Sequence, residues 1–234
     1  MPDPDQAAPN PEAVALLSEL SHCLHRIVII SGRDTDFLVS RLPLPRALFI
    51  GNHGIEEREG GASRIVAEAQ PFLARVQRAA DAAEALPLTH APGIAVERKR
   101  ATVSVHFRNA ADPSASASAL QLALEVIAHR EQLQLQPGRL VWELRPPVAL
   151  DKGEVLRQLA ATMQPAGVVY VGDDRTDGDA FSALRRMSGV RTLAVGVRSR
   201  EVPDDVFVDC DLMVDGVPGV IQLLTQLHDL CAAA

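Results

Sequence analysis

Three carboxylates follow a hydrophobic strand candidate within five residues. The segment reads VVYVGDDRTD and runs from Val168 to Asp177. Four apolar residues in a row are typical of a parallel strand buried on both faces, and open α/β sheets bind ligands at the carboxyl ends of their strands. We therefore expect Asp173, Asp174 and Asp177 to gather around one small hard cation, and Mg²⁺ is the usual ion at a phosphate-handling site. The alternative interpretation is a polar turn that caps the next helix.

Three further polar clusters lie at strand ends or helix starts. Ser31 follows the apolar run RIVII and would place a hydroxyl where a phosphate oxygen can dock. Lys152 begins a helix and would neutralise a phosphate oxygen or pair with a carboxylate. Asn52 and His53 follow the apolar run ALFIG. Each cluster alone could also belong to an ordinary helix cap or turn. The prediction of one site at a sheet edge therefore rests on their order along the chain, which is hydroxyl, lysine and then acid cluster.

The elements that would position these clusters alternate between helix and strand. The predicted core helices are 11–24, 34–41, 153–163, 181–186 and 220–231, and the predicted core strands are 26–30, 47–51, 168–171 and 192–197. This alternation predicts an α/β fold, with a parallel sheet that has helices on both faces.

The middle of the chain has a different pattern. An Ala-rich helix is predicted over 63–86, with a kink or break at Pro71. Strands at 101–108 and 139–144 and a helix at 113–132 complete a small antiparallel sheet backed by two helices. We therefore predict a core formed by residues 1–61 and 147–234 and a cap domain at 62–146 inserted into it. Gly60-Gly61 and Pro146-Pro147 are the expected hinges.

The amino-acid composition limits the classes of protein to which this chain can belong. The chain has 234 residues, 47% of them hydrophobic and 23% charged, which is typical of a soluble globular protein. A net charge of −7 argues against a nucleic-acid partner. No apolar run approaches the roughly 18 residues of a membrane span, and the acidic, Pro-rich start is unlike a signal peptide. Three widely spaced cysteines favour reduced thiols. We predict a cytoplasmic protein with a small-molecule substrate; the sequence gives no signal for its oligomeric state.

The ordered clusters resemble the haloacid dehalogenase superfamily of phosphatases and, within it, the trehalose-6-phosphate phosphatases. The resembling segments are IVIISGRD (27–34), FIGNHGIE (49–56), VERKRATVSVHFR (96–108), WELRPPVALDKGEVL (142–156) and VYVGDDRTDGDAF (169–181). The resemblance implies a Rossmann-like core with an inserted α/β cap. It also implies Mg²⁺-dependent hydrolysis of trehalose 6-phosphate to trehalose and phosphate, a step of trehalose biosynthesis.

The resemblance also assigns roles to residues. Ser31 would hydrogen-bond the phosphate, and Lys152 would stabilise charge on it and on the nucleophile. Asp173 would be a direct Mg²⁺ ligand, with Asp174 and Asp177 completing or orienting that shell. The substrate-binding residues implied in the core are Arg33, Asn52 and His53, and those implied in the cap are Glu97, Lys99 and Glu143, supported by His106 and Arg108. A solvated strand face is the alternative for the cap residues. Gly178 departs from the family, which usually has Glu there.

A second departure is larger, because the chain contains no DxDGT motif. In the family this motif lies on the first core strand; its first Asp attacks phosphorus to form an aspartyl-phosphate, and its second Asp acts as general acid and base. We therefore expect this chain to be N-terminally truncated and inactive as it stands, with Met1 standing for an internal GTG codon. The absent strand would lie between the strands at 26–30 and 168–171.

Two other functions stay open at this point. One is a phosphatase for another sugar phosphate, such as a mannosyl or glucosyl phosphoglycerate. The other is a catalytically silent protein that binds sugar phosphates or regulates another protein, which the absent nucleophile permits.

Overall fold

A computed structural model describes residues 8–199 and 202–233. The helices are α1 (Pro11–Leu20), α2 (Thr35–Arg41), α3 (Leu73–Glu84), α4 (Pro113–Glu131), α5 (Lys152–Met163), α6 (Asp177–Arg186) and α7 (Gly216–Ala232). The strands are β1 (Val28–Ile30), β2 (Leu48–Gly51), β3 (Glu56–Glu59), β4 (Ala62–Ile65), β5 (Ala95–Arg98), β6 (Val103–His106), β7 (Gln134–Gly138), β8 (Val141–Arg145), β9 (Gly167–Gly172), β10 (Arg191–Arg198) and β11 (Leu212–Asp215).

The chain divides into two compact units. The first ends at Ser63 and resumes at Leu150, and the second comprises Arg64–Ala149. The divisions predicted from the sequence lie at 61/62 and 146/147. The Gly60-Gly61 pair, one of the two expected hinges, forms the turn between β3 and β4.

The first unit contains two sheets. One has the strand order β1-β2-β3-β4, in which β1 and β2 are parallel and β3 runs antiparallel to β2. The other has the order β11-β10-β9 and is parallel throughout. The α/β fold class is confirmed, but a wholly parallel sheet was too simple a prediction, since the β3–β4 hairpin adds an antiparallel edge.

Helices cover the strands of the first unit on both faces. Phe49 of β2 and Ala47 just before it pack in a cluster with Leu20 of α1 and Leu224 of α7. The alternate residues of β2, Leu48 and Ile50, pack against Val155 of α5 on the other face.

Helix α5 also reaches the second sheet of this unit. Its next residue, Leu156, belongs to the cluster of Phe181 and Ala194, against which Val168 and Tyr170 of β9 pack. Helix α5 therefore contacts apolar residues of both sheets, which places β1 and β9 beneath the same helix.

Strand β9, predicted to be buried on both faces, is only partly buried, and so is β1. All three residues of β1 are half-buried, and Val169 of β9 is 45% exposed, whereas every residue of β2 is buried. The physical reason is that β1 and β9 each have one hydrogen-bonded neighbour among residues 8–199 and 202–233. Their apolar side chains therefore lie at sheet edges.

The second unit is an antiparallel sheet with the strand order β5-β6-β8-β7. Val103, Val105 and Leu144 turn one face of this sheet toward Val76 of α3 and Leu124 of α4. The predicted helix at 63–86 is wrong in its first part, because residues 62–65 form β4 and the α-helix begins only at Leu73. Pro71 lies in the 3₁₀ turn just before it, consistent with the predicted break.

Side-chain caps fix where several helices begin. Asn10 accepts hydrogen bonds from two backbone amides of α1, Asp34 accepts one from Phe37 in α2, and Asp151 accepts one from Glu154 in α5. None of the helices in the described part of the chain is both long and apolar enough to cross a membrane.

Candidate active site

Asp177 is the hub of the acid cluster. It is the first residue of α6 and is 3% exposed. Its Oδ1 accepts hydrogen bonds from Lys152 Nζ at 2.6 Å and from the Tyr170 hydroxyl at 2.7 Å. Its Oδ2 accepts the backbone N–H groups of Asp173 at 2.8 Å and Asp174 at 2.7 Å. One carboxylate thus fixes β9, the loop after it and the start of α5.

Lys152 reaches this carboxylate because of its place in α5. Asp151 caps the helix, Lys152 is its first residue and is 7% exposed, and Gly153 follows. A Cβ on Gly153 would lie 2.5 Å from the backbone oxygen of Asp179, and a Cβ on Gly172 would lie 2.4 Å from Cγ of Asp177. Glycine at both positions allows the starts of α5 and α6 and the end of β9 to meet. The buried ammonium is balanced by Asp177.

Asp173 and Asp174 supply the carboxylate oxygens in the loop that Asp177 holds. Burial raises the pKa of the Asp173 carboxyl, and the charges of Asp177 and Asp174 raise this pKa further against the opposing effect of Lys152. Asp174 accepts a hydrogen bond from the backbone N–H of Arg175 at 2.6 Å. The loop therefore carries more negative charge than the lysine offsets, which suits a hard cation.

The acid cluster would supply only part of a Mg²⁺ shell. Within residues 8–199 and 202–233, no group of three or more His, Cys, Asp or Glu side chains could hold a metal ion by itself. The oxygens of Asp177 are engaged in four hydrogen bonds, so this residue is placed to orient the loop, whereas Asp173 and Asp174 supply carboxylate ligands of the type Mg²⁺ prefers. The donor chemistry fits Mg²⁺ with further ligands from elsewhere.

Tyr170 is a site residue that the sequence did not single out. Its hydroxyl donates to Asp177, and burial together with that negative charge raises the Tyr170 pKa far above its usual range. The phenol therefore stays a hydrogen-bond donor. A tyrosine in an otherwise aliphatic strand usually needs a polar partner when buried, and this signal could have indicated it.

The ends of β1 and β2 form a second polar group in the same unit. The backbone N–H of Asn52 donates to the Arg33 carbonyl at 2.9 Å, and that of His53 donates to the Ser31 carbonyl at 3.0 Å. Ser31 Oγ accepts the N–H of Arg33 at 3.1 Å. The structure thus brings together four of the predicted residues, and the Ser31 hydroxyl retains its own O–H for donation.

Glu56 holds this turn in place, and no sequence signal singled it out. It is 1% exposed and accepts hydrogen bonds from Asn52 Nδ2 at 3.1 Å and from the backbone N–H of Thr35 at 3.3 Å. Asn52 and His53 have φ of 49° and 56°, in the left-handed region that non-glycine residues seldom adopt. Such backbone is often found at functional sites. The Asn52 amide is turned to Glu56, so it supports the turn.

Helix α5 contacts both polar groups of the first unit. A Cβ on Gly54 would lie 2.6 Å from Cγ2 of Val155, one turn after Lys152. The turn after β2 therefore touches the same helix whose first residue binds Asp177. The Ser31–His53 group and the Lys152–Asp177 group both lie at carboxyl ends of parallel strands, as the sequence predicts.

The second unit has a polar sheet face opposite α3 and α4. Glu97, Ser104 and Glu143 are aligned across neighbouring strands β5, β6 and β8. Val96, Val105 and Trp142 form the adjacent row, which packs with the helix-covered core. Because side chains alternate between faces, the first row points away from the helices.

Lys99 and Glu143 are buried on this face. Lys99 Nζ donates to Glu143 Oε1 at 3.3 Å, and the hydroxyls of Thr102 and Ser104 donate to the same oxygen at 3.2 and 3.3 Å. The two charged side chains are 8% and 13% exposed. A solvated strand face, the alternative raised from the sequence, does not describe this pair.

The other cap residues are more exposed. His106 Nε2 lies 2.8 Å from Glu97 Oε2, with both side chains about 40% accessible (42% and 39%). Arg108 is half-buried and donates to the backbone oxygen of Arg139 at 3.3 Å. Arg98, between Glu97 and Lys99, instead pairs with Glu84 and Asp81 of α3.

The family follows from a match along most of the sequence. The profile of the family described as trehalose-phosphatase matches residues 1–210. This chain belongs to the trehalose-phosphatase family. It is 36% identical over 211 residues to a trehalose-phosphate phosphatase of Mycobacterium marinum, covering 86% of this chain and 51% of that protein. It is 32% identical over 209 residues to one of Mycobacterium leprae, covering 85% and 48%. The chain spans about half the length of these curated relatives.

Solved structures support the trehalose-phosphatase fold. A trehalose-6-phosphate phosphatase related protein aligns with a TM-score of 0.82 at 21% identity, covering 100% of this chain and 93% of the other. The C-terminal domain of trehalose-6-phosphate phosphatase from Candida albicans aligns with a TM-score of 0.75 at 22% identity, covering 98% and 88%. A haloacid dehalogenase-like hydrolase from Bacteroides thetaiotaomicron aligns at 0.61 and 14% identity, covering 93% and 92%. The fold is therefore of the haloacid dehalogenase type.

Proposed function

We propose that this trehalose-phosphatase family member catalyses the Mg²⁺-dependent hydrolysis of trehalose 6-phosphate to trehalose and phosphate, in the cytoplasm, once a nucleophile is supplied. The observation that carries the proposal is the buried Lys152–Asp177 pair, whose carboxylate also fixes the backbone of Asp173 and Asp174. The names of the curated relatives support the substrate.

The described residues supply binding and charge neutralisation. An ammonium has three N–H groups, and the bond to Asp177 uses one, so Lys152 retains donors for phosphate oxygens. The Ser31 hydroxyl donates to another phosphate oxygen from the end of β1. Asp173, with Asp174, would hold Mg²⁺, which when bound offsets the negative charge of the phosphate.

The nucleophile is proposed to lie on a further strand between β1 and β9. Both strands have an open edge in the described part of the chain, both carry half-exposed apolar side chains, and α5 contacts both sheets. A strand inserted there would pair the open backbone groups. Its carboxyl end would bring acidic side chains beside Asp173 and Lys152.

The polar face of the second unit is proposed to bind the sugar. A disaccharide presents many hydroxyls, and each must find a partner when it is buried. Lys99 and Glu143 are held in place by Thr102 and Ser104, so they form a prepared set of donors and acceptors. Glu97 and His106 extend the same face.

We predict that Glu143→Gln raises KM for trehalose 6-phosphate by about tenfold or more, with kcat little changed, because a lost charged hydrogen bond to substrate costs about 1.5–3 kcal/mol of binding. Steady-state phosphate release by the protein that carries the further strand measures both constants. Arg98→Gln is the matched control: Arg98 lies on β5 but pairs with α3, so its KM should stay at the wild-type value. Equal effects of both variants would contradict sugar binding by this face.

The function itself is tested with a panel of sugar phosphates. The gene segment encoding about twenty residues upstream of Met1 would be included, a length that suffices for one strand and its loop. We expect Mg²⁺-dependent phosphate release from trehalose 6-phosphate well above that from glucose 6-phosphate and from mannosyl or glucosyl phosphoglycerate. Preference for a phosphoglycerate would assign another sugar phosphatase, and binding without release would assign a silent sugar-phosphate-binding protein.

A further inference from the structure

Two cysteines from opposite ends of the chain meet in the first unit. Cys23 lies just after α1, and Cys231 lies in the last turn of α7. The neighbouring Cys23 thiol raises the pKa of the Cys231 thiol, and the Cys23 thiol donates to the backbone oxygen of Leu20 at 3.4 Å. Both thiols are free, Cys23 is exposed and Cys231 is half-buried. The sequence, in which the two positions are far apart, gives no sign of this contact.

The contact rests on the packing of two helices. Residues of α1 and α7, including Leu20, Leu224 and Cys231, share one apolar cluster. One turn before the cysteines, His228 Nε2 of α7 lies 3.3 Å from Glu19 Oε2 of α1. The ion pair and the apolar cluster keep the ends of both helices together, so the thiol contact is part of a packed interface.

The third cysteine has different surroundings. Cys210 packs with the cluster around Phe207 and Met213, and burial together with the charges of Asp211 and Asp209 raises its pKa to about 11. Unlike Cys23 and Cys231, it has no partner thiol among the described residues. It therefore serves as an internal control.

We propose that Cys23 and Cys231 are a redox-modification site, at which a low-molecular-weight disulfide such as glutathione disulfide converts the two thiols into one reversible intramolecular disulfide. The exposed Cys23 thiolate attacks one sulfur of the reagent, which releases one thiol and leaves a mixed disulfide on Cys23. The Cys231 thiolate then attacks the Cys23 sulfur and releases the second thiol. Two protein thiols are oxidised, and one disulfide is reduced to two thiols.

The bond would tie together the two sheets of the first unit. Helix α1 packs over β1 and β2, whereas α7 also packs over β10 and β11. A covalent link between the helices would restrain the sheets on either side of the open edges of β1 and β9. It would also close a loop of most of the chain, and long loops gain most from a cross-link.

The test compares the full chain treated with glutathione disulfide and with a thiol reductant. We expect a peptide map without reduction to show the Cys23–Cys231 disulfide, with a mass lower by two hydrogen atoms. We also expect a midpoint of thermal unfolding higher by roughly 5–15 °C than in the reduced chain. Cys210→Ser should show the same shift, whereas Cys231→Ser should lose it and carry a stable mixed disulfide at Cys23.

Other outcomes would overturn the proposal. They are a wild-type chain that keeps a mixed disulfide at Cys23, a Cys23–Cys23 dimer on a non-reducing gel, and a linked chain with an unchanged unfolding midpoint. These measurements require no phosphatase turnover, so they stand apart from the proposed function.

Discussion

Replacing Asp177 with alanine is expected to lower the free energy of unfolding by about 3–5 kcal/mol, as is typical when one partner of a buried ion pair is removed. Lys152 would keep its charge in a position that is 7% exposed. The Tyr170 hydroxyl and the backbone amides of Asp173 and Asp174 would lose the acceptor that they share. Urea unfolding of the 234-residue chain, followed by circular dichroism, measures the change.

Two further variants separate the charge from the rest of the network. Tyr170→Phe removes one hydrogen-bond donor to Asp177 and should lower the free energy of unfolding by only about 1 kcal/mol. Adding Lys152→Met to Asp177→Ala should cost nothing more and should recover part of the loss, because it removes the stranded charge. If the free energy of unfolding of Asp177→Ala lies within about 1 kcal/mol of the wild-type value, the network of hydrogen bonds assigned to Asp177 would be wrong.

The local signals of the sequence were sufficient to place Lys152 at the start of a helix and the acid cluster after a strand. They did not predict that Lys152 pairs with Asp177, which lies 25 residues away in the chain. The strand before Asp173 was visible from its apolar run. Sequence periodicity indicates such features because each depends on one element and the turn after it.

The sequence could not indicate partners that come from distant positions. Glu56 supports Asn52 and Thr35, and Tyr170 supports Asp177; both roles depend on tertiary contacts. Strand β4 was predicted as helix because its segment runs into Ala-rich sequence, yet pairing with β3 overrides that weak local preference. Strand β7 was also missed, since it contains Pro137 and Gly138, which a strand tolerates at the edge of a sheet.

The cap shows how alternation separates neighbouring charges. The run Glu97-Arg98-Lys99 looks uniform in sequence, but only Lys99 is buried with a carboxylate on the polar face, whereas Arg98 binds α3. Assignment of Lys99 and Glu143 to substrate stays a prediction. The structure adds that both side chains are largely shielded from solvent and that the hydroxyls of Thr102 and Ser104 also donate to Glu143. A solvated strand face would have neither property.

The second large effect concerns turnover. The 234-residue chain is expected to release no measurable phosphate from trehalose 6-phosphate with Mg²⁺ present. The protein that includes the further strand should exceed it by a factor on the order of 10⁴–10⁶, the loss usually seen when a catalytic nucleophile is removed. The reason is that Ser31 and Lys152 are proposed to bind the phosphate and Asp173 to hold Mg²⁺, whereas none of the three is proposed to attack phosphorus. A coupled phosphate assay over hours measures the difference.

A variant of Lys152 tests whether phosphate release by the extended protein uses the proposed site. In the protein with the further strand, Lys152→Met should lower kcat by about 10²–10³, as expected when a preorganised charge beside the reacting group is lost. Methionine fills the volume of the lysine stem, and Asp177 keeps its hydrogen bonds from the Tyr170 hydroxyl and from the backbone amides of Asp173 and Asp174. The variant should therefore stay folded at reduced stability, which circular dichroism checks before kcat is compared. Suppose instead that the 234-residue chain turned over trehalose 6-phosphate and lost that activity with Lys152→Met. The nucleophile would then lie among the residues described here, and the open edges of β1 and β9 would need no further strand for chemistry.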